Sequence, residues 1–303
     1  REFSSAVFGR PVFFIDDNSQ ADQLAQDTLA EVARSVGFKD VAFQFEPIAA
    51  AFDYESQIDK EELVLIADIG GGTSDFSLVR LSPERAKKME RRDDILATGG
   101  VHIGGTDFDK YLSLSSVMPL LGYGSRLHNN SEVPSSYYFN LATWHTINLA
   151  YTKKIWVQLA DVCRDAREQD KVKRLQTLID ERAGHWLAMK VEEGKIALSD
   201  AAEVQLELDR LSPAQSLLLK RAQFDDAIGH LCGSVEETVL RLLRDAGVAP
   251  DAVDTVFFTG GSSGVRLLRE KIAALVPAAR KVEGDLFGSI GAGLALDAVR
   301  KFG

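Results

Sequence analysis

Cysteine is nearly missing from this 303-residue chain: Cys163 and Cys232 are the only two, and they lie far apart. That is too few for a disulfide framework, and the spacing is not that of a Cys-based metal site. A reducing, cytoplasmic compartment is expected. The five histidines (His102, His128, His145, His185 and His230) also lack metal-ligand spacing. No apolar run approaches the roughly 20 residues that cross a bilayer, so no membrane partner is expected. Positive charge is in deficit, with 35 Lys and Arg against 45 Asp and Glu, a formal net charge of −10. That balance argues against a sequence-independent grip on nucleic acid or on an anionic membrane. There is no G-x-x-x-x-G-K-[ST] loop, and no G-x-G-x-x-G opening a helix after a strand, so neither a P-loop nor a dinucleotide site is expected. Internal repeats and low-complexity segments are missing as well. The chain opens on Arg1, carries no signal-peptide pattern, and is read as a piece of a longer polypeptide lacking its N-terminal part.

What is present is an ordinary globular composition, 45% apolar and 26% charged, at a length that permits two domains with their own cores. The chain is organised around Leu63–Arg80. An apolar run of strand length ends at Asp68, breaks at Gly70-Gly71-Gly72-Thr73, and resumes with Phe76 and Leu78. This predicts a hairpin, its first strand buried on both faces and its second nearer to alternation. Backbone N–H groups of a glycine turn form a concave anion site, and a carboxylate at the end of a buried strand needs a cation or several donors. A phosphate in the turn with Mg²⁺ beside Asp68 meets both demands. A tight hairpin turn with an Asp cap is the alternative.

Upstream, Ala6 to Ile15 predicts a strand interrupted at Pro11. Ser19 caps a helix whose broad apolar face is Ala21, Leu24, Ala25, Leu29, Val32, Ala33 and Val36, ended by Gly37. Val41 to Phe45 reads as a strand and Ile48 to Tyr54 as a small helix, which together give a βαβ pattern and an α/β fold. Asp59 to Glu62 reads as a charged linker. Downstream, Thr106 or Asp107 is expected to cap a helix, residues 113–150 are the least regular part, and 152–199 are mostly helical. Glu192, Lys195 and Ser199 share one helical face, which on spacing alone is a solvated ion-pair face. Ala202 to Asp209 reads as a half-exposed strand and Phe224 to Ala246 as a long helix. Asp254 to Thr259, the turn Gly260–Gly264 and a helix from Val265 form a second strand–turn–helix phosphate candidate. A final helix from Phe287 to Phe302 has a small-residue face, which lets another backbone approach closely. A nucleotide touching both glycine turns would occupy a cleft.

Five motifs now stand in order. Glu46-Pro-Ile-Ala-Ala-Ala51, Asp68-Ile-Gly-Gly-Gly-Thr-Ser-Asp75, Gly104-Gly-Thr-Asp-Phe-Asp109, Arg221-Ala-Gln-Phe-Asp225 and Val256-Phe-Phe-Thr-Gly-Gly-Ser-Ser263 resemble those of the 70-kDa heat-shock chaperone (DnaK-type) ATPase domain. Residues 113–185 match less well and look like the divergent YegD-like branch. The resemblance implies an actin-like, ribonuclease H-like ATPase fold of two lobes around a nucleotide cleft, binding ATP or ADP with Mg²⁺. It implies that Gly70, Gly71, Gly72 and Thr73 cradle the β- and γ-phosphates, that Asp68 holds Mg²⁺ through water, and that Glu46 places the catalytic water. It implies adenosine contacts from Glu192, Lys195 and Ser199, and contacts to ribose and α-phosphate from Gly260, Gly261 and Ser262. Asp285 would lie near the nucleoside, and Pro11 would be the proline switch. Nucleotide, co-chaperones and client proteins are the implied partners.

The implied domain order is 1–62 for the remainder of the first lobe, 63–107 with 225–303 for the core of the second, and 108–224 for its upper part. The chain departs from the pattern where the family carries two arginines around adenine: these positions are Ile196 and Gly264. The family's first phosphate loop and its catalytic lysine lie upstream of the matching region, so negligible ATP hydrolysis is expected of this piece by itself. A non-catalytic interaction module, or a metabolic kinase or phosphatase on the same fold, is the alternative.

Overall fold

The apolar run beginning at Leu63 becomes a strand hydrogen-bonded on both edges. The computed structural model describes residues 3–15, 18–285 and 288–303. In chain order its elements are β1 (Ser5–Arg10), α1 (Ser19–Ser35), β2 (Asp40–Phe45), α2 (Glu46–Ala50), α3 (Phe52–Glu55), β3 (Glu62–Ile69), β4 (Ser74–Leu81), β5 (Ile95–Val101), α4 (Gly105–Leu112), α5 (Ser136–Ala142), α6 (Lys153–Asp165), α7 (Gln169–Asp180), α8 (Gly184–Asp200), β6 (Glu203–Leu208), β7 (Gln215–Lys220), α9 (Arg221–Asp245), β8 (Thr255–Thr259), α10 (Arg266–Leu275), β9 (Arg280–Glu283) and α11 (Ser289–Phe302). They divide between two compact units. Unit one is Arg1–His102, Val235–Ser263 and Glu270–Gly303; unit two is Ile103–Ser234 and Gly264–Arg269.

Unit one is built on a mixed sheet of order β5-β4-β3-β8-β9. β4 runs antiparallel to β3 and β5, and β8 runs parallel to β3 and β9. The expected alternation in β4 is not found: Phe76, Ser77, Leu78 and Val79 are all buried. β4 is an inner strand with both faces covered there, so it has no solvent side to alternate toward. On one face Ile48, Ala50 and Tyr54 pack against Val64, Ile66, Val79 and Phe257. α11 comes close because Gly293 has no side chain; a Cβ there would overlap the Ala49 carbonyl. The small-residue face expected of the last helix therefore meets α2. Phe287, expected to open that helix, lies outside the described residues, and the helix starts at Ser289.

β1 and β2 form a separate parallel pair in register from Ser5↔Asp40 to Arg10↔Phe45. β1 stops at Arg10 rather than running to Ile15, since Pro11 has no N–H to continue a ladder. α1 is capped by Asn18, one residue before the expected Ser19; its Oδ1 accepts from Ala21 N at 3.0 Å. Gly37, at φ +113, ends the helix as expected. The helix buries only Ala30 and Ala33, while Leu24, Leu29, Val32 and Val36 of the expected core face are exposed.

Two buried ionic networks brace the sheet. Arg91 donates to both carboxylate oxygens of Glu55, at 2.9 and 2.8 Å, and pairs with Asp94. Glu62, expected in a linker, is instead buried in β3, where Tyr54, Thr255 and Arg280 all donate to it. Burial pushes its carboxyl up, but these bonds outweigh burial and hold it below the usual range.

Unit two carries α4–α8 and the hairpin β6–β7. Gly104, not Thr106 or Asp107, precedes α4, and Asp107 Oδ2 reaches back to accept from Gly104 N at 3.0 Å. α4 runs into a single π-helical turn at Ser113–Val117. Of the aromatic cluster, Tyr137 and Tyr138 are buried, and the Tyr138 hydroxyl donates to Leu121 O at 3.1 Å; Phe139 and Trp144 are exposed. Among the described residues no helix is long and apolar enough to cross a membrane.

Removing one partner of a buried ion pair strands the other in low dielectric. Glu55→Ala is expected to lower the unfolding free energy by about 3–5 kcal/mol in urea titrations. The double replacement Glu55→Leu with Arg91→Met is expected to cost less than either single change.

Candidate functional site

The site in unit one follows from the pairing of β3. Its antiparallel partner sets Asp68 opposite Asp75, and its parallel partner sets Asp68 beside Thr259. Both glycine turns therefore emerge at the carboxyl ends of neighbouring parallel strands, where ligands of open α/β sheets bind. The first turn closes through Gly70 N donating to Thr73 O at 2.9 Å. The second is tied to it by Ser262 N donating to Ile69 O at 3.0 Å. Gly260 has φ +82, and a Cβ there would lie 2.5 Å from Asp68 Oδ1 and overlap the Ile69 carbonyl, so no other residue fits. Gly71 and Gly72 are exposed, with open space where side chains would be.

Asp68 is half-buried, and among the described residues no hydrogen-bond donor reaches its carboxylate. Burial, then the Asp75 charge, pushes its pKa up. Glu46 enters at the first position of α2, with Pro47 behind it. Burial, then the charges of Asp68 and Asp75, pushes Glu46 up as well. Thr73 Oγ1 donates to Asp75 Oδ2 at 2.8 Å. A cavity of about 1220 Å³ is lined by Glu46, Asp68, Thr73 and Asp75, and Pro11 is on its wall. Arg92, whose guanidinium stacks 4.5 Å from the Phe13 ring centroid, lines it too. Asp285 is exposed; its carbonyl accepts from Thr259 Oγ1 at 3.4 Å at the end of β8.

Among the described residues no ion pair reaches Glu46 or Asp68, and neighbouring carboxylates of this kind fit a divalent ion better than they fit each other. Among the described residues no three His, Cys, Asp or Glu are grouped to hold a metal by themselves. This is the donor set of an ion that keeps waters and takes its other ligands from phosphate, as Mg²⁺ does. The residues present thus fit a Mg²⁺–phosphate group.

A mixed sheet with helices packed on it and two glycine turns at its carboxyl end has the arrangement of an actin-like ATPase fold. A family model described as Hsp70 protein matches residues 1–117 and 158–298, and the chain belongs to the Hsp70 family. Residues 118–157 fall between the matched stretches. Among curated proteins the chain is similar to a chaperone protein HscA homolog of Shewanella baltica (strain OS155 / ATCC BAA-1091), 28% identical over 300 residues. It is also similar to the chaperone protein HscA of Shigella boydii serotype 18, 27% identical over 302 residues. These alignments cover 98% of this chain and 37% of each relative, so the chain spans well under half the length of the curated relatives it matches.

In unit two, Glu192, Lys195 and Ser199 do share a face of α8, with Glu192 exposed and Ser199 half-buried. Lys195 is not the solvated ion-pair residue that spacing alone gives. It is buried, and its ammonium donates to Asp109 Oδ2 at 2.9 Å and to Gly105 O at 3.2 Å. An ammonium has three N–H donors, so one remains. Burial lifts the Asp109 carboxyl to about 6, against the pull of Lys195. Asp109, the last residue of the Gly104–Asp109 motif, is the site residue that sequence reasoning passed over. Its motif was visible, but a bond to a lysine 86 residues away was not. Ile196 is 57% exposed. Ser199 Oγ lies 3.5 Å from where a Cβ on Gly264 would sit.

Gly260→Ala combines a left-handed φ with overlap and is expected to cost about 2 kcal/mol or more in a urea melt. Gly71→Ala, facing open space, should leave the midpoint nearly unchanged. A second expectation concerns pH. Asp109 takes up its proton near 6 in the native chain and near 3.8 when unfolded. Between these values the native state holds more protons, so stability from this group falls as pH rises from about 4 to about 6, by at most about 3 kcal/mol. Above pH 6 it is level. Asp109→Asn should remove that slope from unfolding free energies measured across the window.

Proposed function

We propose that this chain is the nucleotide-binding, ATPase-type part of a chaperone-like protein, taking ATP or ADP with Mg²⁺. The observation that carries this reading is Asp68, a half-buried carboxylate that no donor reaches among the described residues, set between two glycine turns that its own strand pairing brings together. We assign the β- and γ-phosphates to the backbone of Gly70–Thr73, Mg²⁺ to Asp68 through water, and ribose and α-phosphate to Gly260–Ser262. When bound, Mg²⁺ supplies charge neutralisation on the phosphates. Glu46, raised by burial and by its carboxylate neighbours, suits the holding of an attacking water and the acceptance of its proton. The Thr73 hydroxyl, now donated to Asp75, is free to turn toward the transferred group. Glu192, the spare donor of Lys195, Ser199 and Asp285 are assigned to the nucleoside by likeness to the family. Pro11, where β1 ends on the wall of the cavity, is assigned the switch. Catalysis of this kind rests on positioning and electrostatics. Co-chaperones and client proteins are the partner classes that the chaperone relatives support. A reducing, cytoplasmic setting suits a chain whose two cysteines, Cys163 and Cys232, are both buried.

A second reading, an interaction module that keeps the fold without turnover, is favoured by one observation. Ile196 stands exposed and Gly264 offers no side chain, so neither position supplies a cation to stack on a base.

Calorimetric titration with ADP, with and without Mg²⁺, tests the proposal. Saturable, Mg²⁺-dependent binding is expected, with Asp68→Asn abolishing the Mg²⁺ dependence and weakening affinity about tenfold, equivalent to about 1.4 kcal/mol. No binding at millimolar nucleotide would overturn the assignment. Ile196→Arg, on an exposed position, is expected to tighten ADP binding about fivefold through guanidinium stacking, a gain of about 1 kcal/mol.

A further inference from the structure

Unit two contains a cavity of about 470 Å³ that has no part in the nucleotide assignment. It lies within the size range of small-molecule sites, about 300–1,000 Å³. Tyr111, Leu114, Tyr123, Phe139 and Ala227 give it apolar walls, while Lys110 and Ser115 are its polar residues.

Its construction is specific. Leu114 and Ser115 stand on the π-helical turn Ser113–Val117, a local departure from the α-helix that recurs at functional sites. The Tyr111 ring is steadied by His230, edge to face at 4.5 Å between centroids. Tyr123 and Phe139 meet at 6.1 Å, and Tyr123 is backed by buried Tyr138 at 5.3 Å. Tyr123 and Phe139 both come from residues 118–157, the stretch outside the family match. Two of the three aromatic walls of the cavity thus come from outside the stretches that the family model matches. Phe139, edge to face with Tyr123, is still 41% exposed.

The charge is equally specific. Lys110 lies 5.9 Å from the Tyr111 ring centroid, and among the described residues no carboxylate is within ion-pair distance of it. One cation over an apolar, ring-lined cavity recognises one anion attached to a ring. A polyphosphate would find a single counter-charge, and an uncharged hydrocarbon would leave the ammonium unanswered.

We propose that this cavity binds a small aromatic monocarboxylate, its ring against Tyr111, Tyr123 and Phe139 and its carboxylate on Lys110. The test is a titration of the whole chain with 3-phenylpropionate and with 3-phenylpropionamide, followed by NMR or calorimetry. The acid is expected to bind about tenfold tighter than the amide, as a charge-assisted hydrogen bond provides. Lys110→Gln should erase that difference while leaving amide binding unchanged. Phe139→Ser should weaken both probes about five- to tenfold. Both substitutions fall outside the core, so unchanged melting midpoints serve as the folding control. Equal affinity for acid and amide, acid binding unaffected by Phe139→Ser, or no saturable binding by about 10 mM, a free energy of only about −2.7 kcal/mol, would overturn the proposal. ADP binding in unit one is read separately in the same sample, so failure of either assignment leaves the other standing.

Discussion

Between Val64 and Asp68 the backbone of β3 is hydrogen-bonded on both edges, antiparallel to β4 and parallel to β8. A strand held this way cannot slip by one residue without turning its whole apolar set outward. The register therefore fixes where the strand ends, and Asp68 is delivered to the same end of the sheet as the Gly260 turn. Gly260 then has no latitude: a side chain would strike the Ile69 carbonyl and crowd Asp68. The two phosphate candidates are one feature, made by a single strand pairing.

Unit one sorts its acidic groups into two kinds. Glu55 receives a two-pronged Arg91 and a backbone N–H from Ser82. Glu62 receives three side-chain donors and is held below its usual range despite burial. These carboxylates have their donors in place. Asp68 and Glu46 are displaced the other way, by burial and by each other's neighbourhood. A fold able to satisfy Glu55 and Glu62 so fully has left Asp68 and Glu46 unsatisfied in a cavity. That contrast is the physical ground for reading the latter as functional.

The hairpin, the five ordered motifs and the small-residue face of α11 were legible because each is a local pattern with a local cause. The strands β5, β7 and β9 were not. β9 reads Arg-Lys-Val-Glu, a short charged edge strand without alternation, and β5 carries Gly99-Gly100 just before its last residue, Val101, a pair that β propensity disfavours. β5 tolerates Gly100 because Asp75 folds over it: a Cβ there would come within 2.6 Å of Asp75 Oδ1. Periodicity also misled at α1, where four large apolar residues of the helical face are exposed. Periodicity reports that a face is apolar; it does not report what covers it. Within the site, the positions of Glu46, Asp68 and Thr73 were readable, whereas the burial of Lys195 was not. Its partners Gly105 and Asp109 are some 90 residues away, and an i, i+3, i+7 face carries no record of them.

Lys195 is fixed within unit two before any ligand is considered. A solvated lysine is a flexible point charge that loses rotamer freedom when it binds. Here that cost has already been met in folding, since two of the three N–H donors are fixed on Asp109 and Gly105 O. The third donor is aimed by the other two. Asp109, in turn, stays charged at neutral pH although burial opposes it, because its proton comes on only near 6. The pair is therefore a preorganised donor with its counter-charge built in, and it depends on a carboxylate whose hold on Lys195 weakens under mild acid. Ser199 lies one helical turn from Lys195, with Gly264 beside its hydroxyl, and the Arg221 guanidinium is tied to the Leu198 and Ser199 carbonyls at 2.7 and 3.4 Å.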